Sequence, residues 1–237
     1  MGRAYGAHLH FAGLEDFFEP TARWHRPPYS SPAIRTRPIP DAADLTDQKA
    51  RFRKEAQERR RDLVAGLDPA ACAVRLADHV GRALAGRAPG TVTGYLAIGD
   101  EIDPAPALEA LRVAGWRVVL PVVRGRGEIL EFRAWTPGDE LESGPLGTRH
   151  PAAGAALRPD VLLVPMLAFD GGAMRMGWGG GFYDRTIAAL RADGGGLVAM
   201  GVAFSGQGVD RVPSGDHDAP LDAVATEAGV TWFETED

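Results

Sequence analysis

The residue types best suited to chemistry lie in one run, residues 175–185, which reads Arg-Met-Gly-Trp-Gly-Gly-Gly-Phe-Tyr-Asp-Arg. Four glycines stand between two arginines, and two aromatic residues precede an aspartate. Glycines adopt positive φ and let the backbone approach a ligand closely, and a loop that enters a helix directs unpaired N–H groups at an anion. The run therefore predicts a phosphate-binding loop, and an ordinary glycine-rich surface turn is the alternative.

The charged residues at the two ends of this run have separate predicted tasks. Arginine offers bidentate donors with a fixed positive charge, so we expect Arg175 to face phosphate. A carboxylate is a hard oxygen ligand that suits Mg²⁺, so Asp184 is a candidate metal ligand. On this interpretation neither side chain is needed for the core, and substitution of either one leaves the stability of the ligand-free protein nearly unchanged.

The order of residues in the run differs from the common phosphate loops. A P-loop ends in Gly-Lys-Ser/Thr, and the dinucleotide fingerprint has a third glycine where Phe182 stands. The run instead resembles the signature of the 5-formyltetrahydrofolate cyclo-ligase family, Arg-x-Gly-x-Gly-x-Gly-Tyr-Tyr-Asp. Phe182 replaces the first tyrosine of that signature, so any hydrogen bond from its hydroxyl is absent.

A basic segment lies well upstream of the glycine run. Residues 49–61 contain seven Lys or Arg and two Glu, and Lys49, Arg53 and Gln57 are spaced to lie along one helix face. A solvated charged helix is the ordinary interpretation. However, residues 49–53 resemble the Lys-x-x-Leu-Arg element of the cyclo-ligases. The resemblance implies that Lys49 contacts ATP phosphates, that Arg53 lies between ATP and folate, and that Gln57 lies on the substrate side.

Residues 95–103, Tyr-Leu-Ala-Ile-Gly-Asp-Glu-Ile-Asp, are similar to a strand and the following turn of the same family. A carboxylate can accept two N–H hydrogen bonds from an aminopyrimidinone edge, which gives orientation as well as affinity. The resemblance implies that Glu101 binds the pterin and that Leu96 forms an apolar wall. Asp103 precedes Pro104 and is expected to cap a helix.

A third segment, residues 212–222, resembles the family's Pro-x-x-x-His-Asp-x-x-Leu-Asp element. The resemblance implies that Asp218 joins Asp184 in binding metal, and two carboxylates with phosphate oxygens and waters make an ordinary Mg²⁺ site. His217, beside Asp218, is expected to be an exposed turn residue.

These resemblances cover nearly all of the chain after its first segment. They imply the ATP- and Mg²⁺-dependent conversion of 5-formyltetrahydrofolate into 5,10-methenyltetrahydrofolate, with ADP and phosphate released and with catalytic roles for Arg53, Arg175 and Tyr183. Trp178 is also a candidate substrate contact. The implied nucleotide contacts are Lys49, Arg53, Arg175, Gly177, Trp178, Gly179, Gly180, Gly181, Phe182 and Tyr183.

Two other interpretations stay open. A paralogue could act on another formyl or carboxyl substrate, and the departures that allow it are Trp178, Phe182 and His150, the last where the family often has glutamate. A non-enzymatic ATP- or folate-binding module is the second, although a passive binder has little need of the paired carboxylates Asp184 and Asp218.

The elements that position these residues alternate between helix and strand. Helices are predicted from Thr46 or Asp47 to Ala65, from Asp68-Pro69 to about Gly86, from Asp103-Pro104 to Gly115 and over Gly181–Leu190. In the second of these, the apolar positions are Val74, Ala77, Val80 and Leu84. Strands are predicted at 91–97, 117–123, 129–135, 161–167 and 197–204.

Near-continuous apolar strands such as 161–164 indicate burial on both faces. The pattern predicts a three-layer α/β/α protein with a mainly parallel sheet, and the resemblance implies the NagB/RpiA/CoA-transferase-like fold. Ligands of such sheets bind beyond the carboxyl ends of the strands, where the glycine run follows the strand that ends near Phe169.

Composition agrees with one α/β domain, residues 46–237, after an irregular leader, residues 1–45, whose deletion should leave most activity intact. The single cysteine, Cys72, excludes an internal disulfide and is expected to be a core thiol. The net charge of −6 gives no general attraction for nucleic acid or anionic lipid. Without an apolar run that could span a bilayer or serve as a signal peptide, the expected location is the cytoplasm, and the oligomeric state stays open.

Overall fold

The structure is a computed structural model that describes residues 42–234, all within one compact unit. Four helices are formed in this range: α1 (Ala42–Ala65), α2 (Pro69–Leu84), α3 (Ala105–Val113) and α4 (Phe182–Ala192). The strands are β1 (Thr91–Thr93), β2 (Arg117–Val122), β3 (Glu131–Ala134), β4 (Leu141–Ser143), β5 (Arg149–Pro151), β6 (Val161–Pro165), β7 (Ala168–Phe169), β8 (Arg175–Met176), β9 (Val198–Val202), β10 (Ala223–Thr226) and β11 (Gly229–Trp232).

Seven of these strands form one sheet in the order β11-β10-β9-β6-β1-β2-β3. The inner strands pair in parallel, from β10 through β9, β6 and β1 to β2, whereas β11 and β3 are antiparallel at the two edges. Two short antiparallel hairpins, β4-β5 and β7-β8, are not part of this seven-stranded sheet. The predicted mainly parallel sheet is confirmed.

The two faces of the sheet are buried beneath different helices. Val161 and Leu163 of β6 belong to the core beneath α2 and α3, while Leu162 and Val164 point to the other face, where they share a core with Ile187 of α4. This alternation places the central strands between two helical layers and explains why they are apolar at every position. The three-layer architecture is as the sequence predicts.

Helix α2 illustrates how local sequence determines an element. Asp68 accepts hydrogen bonds from the N–H groups of Ala70 and Ala71, and Pro69 occupies the first turn. Cys72 is buried as expected. Of the apolar positions of this helix, Val74 is 57% exposed, because the buried stripe follows Cys72, Leu76 and Val80.

Several predicted boundaries require correction. Helix α1 begins at Ala42, so Thr46 and Asp47 lie inside it, and residues 42–45 of the predicted leader are helical. Strand β1 ends at Thr93, four residues before the predicted end. The two strands after β9 were not predicted, and the leader before residue 42 lies outside the described residues.

The connections that follow three neighbouring strands carry the predicted functional residues. Residues 94–104 follow β1, residues 166–181 follow β6 by way of the β7-β8 hairpin, and residues 203–222 follow β9. Because β9, β6 and β1 are adjacent and parallel, these connections share the carboxyl edge of the sheet. Within residues 42–234, the helices are too short or too polar to cross a membrane.

Candidate active site

Helix α1 is attached to this edge by a small apolar cluster. Ala56 is buried with Leu167, Met176 and Val212, and Phe52 packs against them. The helix therefore rests on the β7-β8 hairpin and on the connection that follows β9. Lys49, Arg53 and Arg60 are thereby held on the side of the helix that faces this edge, whereas Arg51, Lys54, Arg59 and Arg61 are exposed.

The glycine run adopts the conformation that its composition requires. Gly179 and Gly181 have φ of +97° and +65°, in the region that disfavours side chains. Gly179 also lies close to Arg53, since a Cβ at that position would stand 3.0 Å from the guanidinium carbon. Helix α4 begins at Phe182 without a side-chain cap, so N–H groups of its first turn are available to an anion.

Arg53 joins α1 to this loop. Its Nε donates to the carbonyl oxygen of Gly177 at 3.1 Å. The contact holds a guanidinium beside the N-terminus of α4. A positive charge and free backbone N–H groups thus lie along the same loop, which is the combination that binds phosphate elsewhere.

The two aspartates predicted to bind metal lie on segments that contact each other. Asp184 Oδ1 accepts from the N–H of Ala219 at 3.1 Å, and Asp218 is the residue directly before Ala219. Arg175 Nη2 lies 2.7 Å from Asp184 Oδ1, and its Nη1 donates to the Ala219 carbonyl. Lys49 Nζ lies 2.5 Å from Asp218 Oδ2. The fold therefore brings together residues that are far apart in the sequence.

These carboxylates provide a donor set that fits Mg²⁺. Asp218 Oδ2 accepts from the N–H of Gly215 as well as from Lys49, and Asp184 Oδ1 accepts from Arg175 and Ala219. In the described part of the chain no three His, Cys, Asp or Glu side chains converge. Mg²⁺ is commonly held by one or two carboxylates, with phosphate oxygens and waters completing its octahedron, so Asp184 and Asp218 are the candidates to hold it, and this role stays a prediction.

The position of Arg175 contradicts the expectation that it is unimportant for the folded protein. Its side chain is only 5% exposed and is engaged by Asp184 and by a backbone carbonyl. A guanidinium with so little access to water depends on these partners for its stability. Arg175 therefore supports the connection that follows β9 in this structure, whatever contact it makes with phosphate.

Glu101 lies at the other end of the candidate site and is almost fully buried. Its Oε1 accepts from the indole Nε1 of Trp178 at 3.0 Å, and its Oε2 accepts from the N–H of Ile98 at 3.0 Å. Arg60 Nη1 stands 3.9 Å from Oε1, and the Glu101 side chain is 5% exposed. The predicted pterin-binding carboxylate and the predicted substrate contact Trp178 are thus in direct contact.

Arg60 is a charged neighbour of the candidate site that the motifs in the sequence did not indicate. It is 2% exposed and donates two hydrogen bonds to Asp100 Oδ1, at 3.0 and 2.6 Å. The signal that could have found it is its spacing, because it lies on the same helical stripe as Lys49 and Arg53. One face of α1 therefore serves both ends of the site.

The pKa of Tyr183 is influenced by charges at both ends of the candidate site. Burial and the nearby charge of Glu101 raise the pKa of its phenol well above the ordinary range, and Arg175 opposes this shift only partly. Tyr183 therefore stays protonated at physiological pH. Its hydroxyl can donate a hydrogen bond but cannot serve as a base.

The remaining predicted residues occupy less defined positions. Leu96 and Gln57 are both half-buried. Phe182 stacks against Arg185, whose guanidinium carbon lies 5.3 Å from the ring centroid. His150 is in β5, opposite Glu142 of β4 in the hairpin. His217 is exposed, as expected for a turn residue.

The fold and the site together define a three-layer α/β protein with a cation-rich candidate site at the carboxyl edge of its parallel strands. Residues 45–227 match the 5-formyltetrahydrofolate cyclo-ligase family, and the chain belongs to that family. It is therefore an enzyme of the ligase class, which confirms the resemblance noted in its sequence.

Named relatives and solved structures agree with this assignment. The chain is 37% identical over 147 residues to 5-formyltetrahydrofolate cyclo-ligase of Escherichia coli K12, covering 59% of this chain and 79% of the relative. The Mycolicibacterium smegmatis enzyme of the same name is 33% identical over 145 residues, covering 57% and 73%.

Structural comparison gives the same result for the fold. The NMR structure of Aquifex aeolicus 5,10-methenyltetrahydrofolate synthetase superposes with a TM-score of 0.60 at 25% identity, covering 80% of this chain and 94% of that one. A Mycoplasma pneumoniae 5,10-methenyltetrahydrofolate synthetase has a TM-score of 0.57 at 20% identity, covering 76% and 98%, and supports the fold alone. The predicted α/β fold is confirmed.

Proposed function

We propose that this enzyme converts 5-formyltetrahydrofolate and ATP into 5,10-methenyltetrahydrofolate, ADP and phosphate, with Mg²⁺ as cofactor. The family and the names of its relatives support the folate reaction. The observation that carries the nucleotide part is that α1 holds Arg53 against the glycine loop and Lys49 against Asp218, whose chain neighbour Ala219 contacts Asp184.

The chemistry accounts for the residue types at the site. The oxygen of an N-formyl group is amide-like and a poor leaving group. Transfer of the γ-phosphoryl group of ATP to that oxygen activates the formyl carbon. N10 then attacks the carbon, and the C–O bond breaks as phosphate departs. Such a sequence needs two aligned ligands and neutralised phosphate charge, and it needs no protein nucleophile.

The chain's own groups divide this work by position. Lys49 and Arg53 would face the phosphates, together with the N–H groups at the start of α4. Asp184 and Asp218 would hold Mg²⁺, which when bound neutralises phosphate charge. Lys49, the present partner of Asp218, would then be released toward the nucleotide, whereas the more buried Arg175 would keep its hydrogen bond to the Ala219 carbonyl.

The folate would lie toward the other end of the site. Glu101 would accept the N–H groups of the pterin, with Leu96, Gln57 and Trp178 on the substrate side. Tyr183, held neutral by its raised pKa, would donate a hydrogen bond between the two ligands. Arg53 would lie where the phosphates and the formyl group meet.

A direct assay tests the reaction. Purified full-length protein is mixed with MgATP and 5-formyltetrahydrofolate, and the absorption band of the methenyl product is followed. Product is expected only when ATP and Mg²⁺ are both present. Folded protein that forms no product, or that forms it equally well without ATP, would refute the proposal.

Matched substitutions on α1 test the nucleotide contacts. Lys49→Ala removes a cation directed at the site, whereas Lys54→Ala removes one from the exposed face of the same helix. Loss of one charge-assisted contact costs about 2 kcal/mol, so Lys49→Ala should weaken ATP binding by roughly thirtyfold. Lys54→Ala should bind ATP as the wild type does. Calorimetric titration with MgATP measures both, and equal affinities would contradict the assignment of Lys49.

A further inference from the structure

Trp178 combines strong exposure with a fixed orientation. It is 52% exposed, yet its Nε1 donates to Glu101 Oε1 and its ring lies 5.5 Å from the guanidinium carbon of Arg60. An exposed indole without such contacts gains nothing from one rotamer over another. Here the polar edge of the indole contacts the carboxylate of Glu101, and one face of the ring contacts Arg60, which lies beside that carboxylate.

The carboxylate of Glu101 is accessible to a ligand from few directions. Its side chain is 5% exposed, Oε2 is taken by the N–H of Ile98, and Arg60 stands beside Oε1. The approach from the glycine loop is the one that Trp178 occupies. A flat heterocycle with N–H donors would need the same carboxylate, so it competes with the indole N–H for Oε1.

We propose that Trp178 is a specificity-determining plug: in the ligand-free protein its indole N–H holds the hydrogen-bonding position on Glu101 that the N–H edge of the pterin requires. This inference rests on the proposed function, because it takes Glu101 as the pterin-binding carboxylate. A ligand can displace the indole only if its hydrogen bonds with Glu101 are stronger than the bond from the indole N–H.

The location of Trp178 also couples the plug to the nucleotide. Trp178 stands between Gly177, whose carbonyl accepts from Arg53, and Gly179, where a Cβ would stand 3.0 Å from the guanidinium carbon of Arg53. A phosphate that draws Arg53 toward itself changes the contacts of the residues directly before and after Trp178 in the chain. Gly179, at φ +97°, tolerates backbone changes that a side chain would resist. Nucleotide binding is therefore expected to withdraw the plug.

The size of the effect follows from the fraction of molecules with Glu101 available. The apparent dissociation constant of the folate is its intrinsic value divided by that fraction. If the plug is in place in most molecules, its removal tightens binding by about three- to tenfold. Because coupling between two ligands is reciprocal, the folate should raise the affinity for nucleotide by the same factor as the nucleotide raises that for folate.

The test measures binding of 5-formyltetrahydrofolate to full-length protein by calorimetry, without nucleotide. Trp178→Phe keeps an aromatic ring but removes the N–H donor, Trp178→Ala removes both, and Trp232→Phe changes another half-exposed tryptophan far along the sequence. Both Trp178 variants should bind the folate about three- to tenfold more tightly than the wild type, and Trp232→Phe should bind equally.

The other outcomes overturn the inference. Weaker binding by Trp178→Ala would mean that the indole is a stacking platform for the substrate, and unchanged binding by both variants would mean that it does not compete for Glu101. If the wild-type protein binds no 5-formyltetrahydrofolate either without nucleotide or with Mg²⁺ and a non-hydrolysable ATP analogue, the proposed function fails and the inference falls with it. If the wild type binds and the variants do not differ from it, the inference alone fails.

A second measurement tests the coupling. Folate binding is repeated with Mg²⁺ and a non-hydrolysable ATP analogue. The analogue should tighten binding to the wild type and should have a smaller effect on Trp178→Phe, in which the plug is already absent. An equal effect on both proteins would contradict coupling through Trp178.

Discussion

The two ends of the candidate site hold their carboxylates in different ways. At the proposed nucleotide end, Asp184 and Asp218 retain 26% and 19% side-chain exposure. At the proposed folate end, Glu101 is 5% exposed and lies 3.9 Å from Arg60, which is 2% exposed. A carboxylate that keeps contact with water can exchange one partner for another at small cost, whereas a buried one depends on the partners that it has.

This difference suits the two ligands. Phosphates and Mg²⁺ carry charge, so binding them requires ion pairs that can open and form again. A neutral heterocycle with N–H donors instead needs an acceptor whose position is fixed before binding. The cations follow the same gradient, from Lys49 at 18% exposure through Arg175 at 5% to Arg60 at 2%. The predictions below test this gradient through the free energy of unfolding.

The largest effect is expected from Arg60→Met, which keeps most of the side-chain volume but removes the charge. Asp100 loses two hydrogen bonds, and the buried Glu101 loses its nearest cation. Because a buried charge is left without its partner, the free energy of unfolding should fall by about 3 kcal/mol in urea titrations. Arg61→Met, at the exposed neighbouring position, is the control. Equal stability of the two variants would contradict the view that the carboxylate of Glu101 depends on a buried cation.

A smaller loss is expected at the Arg175–Asp184 pair, where one partner is buried and the other is partly exposed. Arg175→Met and Asp184→Asn should each destabilise the ligand-free protein by about 2 kcal/mol. In the double variant the losses should not add, since both remove one interaction. Thermal and urea unfolding measure the cycle, with Asp193→Asn at an exposed position as control. Additive losses would show that the two side chains act independently.

Lys49→Ala should change stability least among the three cations. Both side chains of the Lys49–Asp218 pair keep more exposure than Arg60 does, at 18% and 19%, so loss of the pair should cost only about 1 kcal/mol. The same variant should nevertheless lose affinity for ATP, which separates a ligand contact from a structural one. A loss of stability comparable to that of Arg60→Met would show that Lys49, like Arg60, is needed for the folded structure.

Tyr183→Phe tests the electrostatic link between the two ends, and its effect appears only at alkaline pH. The pKa of Tyr183 in the folded protein is raised above that of an unfolded chain, about 10. Above that pH the unfolded chain loses the phenolic proton while the folded protein keeps it, so stability falls as pH rises. The variant lacks this contribution and should lose less stability above pH 10 than the wild type, as measured by urea unfolding. Identical slopes would contradict the raised pKa.

The sequence by itself determined the features that depend on neighbours in the chain. The apolar run of β6 required burial on both faces, and Asp68-Pro69 set the start of α2. The glycines of residues 177–181 specified a loop of unusual φ at a helix N-terminus. Boundaries were less certain, because a strand such as β1 ends where its pairing with other strands ends, and that is not encoded locally.

Only the tertiary structure decided which charges meet. Lys49 contacts a carboxylate 169 residues away, and Trp178 contacts one 77 residues away. The sequence marked α1 as basic, but it could not distinguish the buried Arg60 from the exposed Arg61 beside it. Whether a cation is solvated or buried depends on which connections pack against its helix, and the order of strands β9, β6 and β1 brings those connections together.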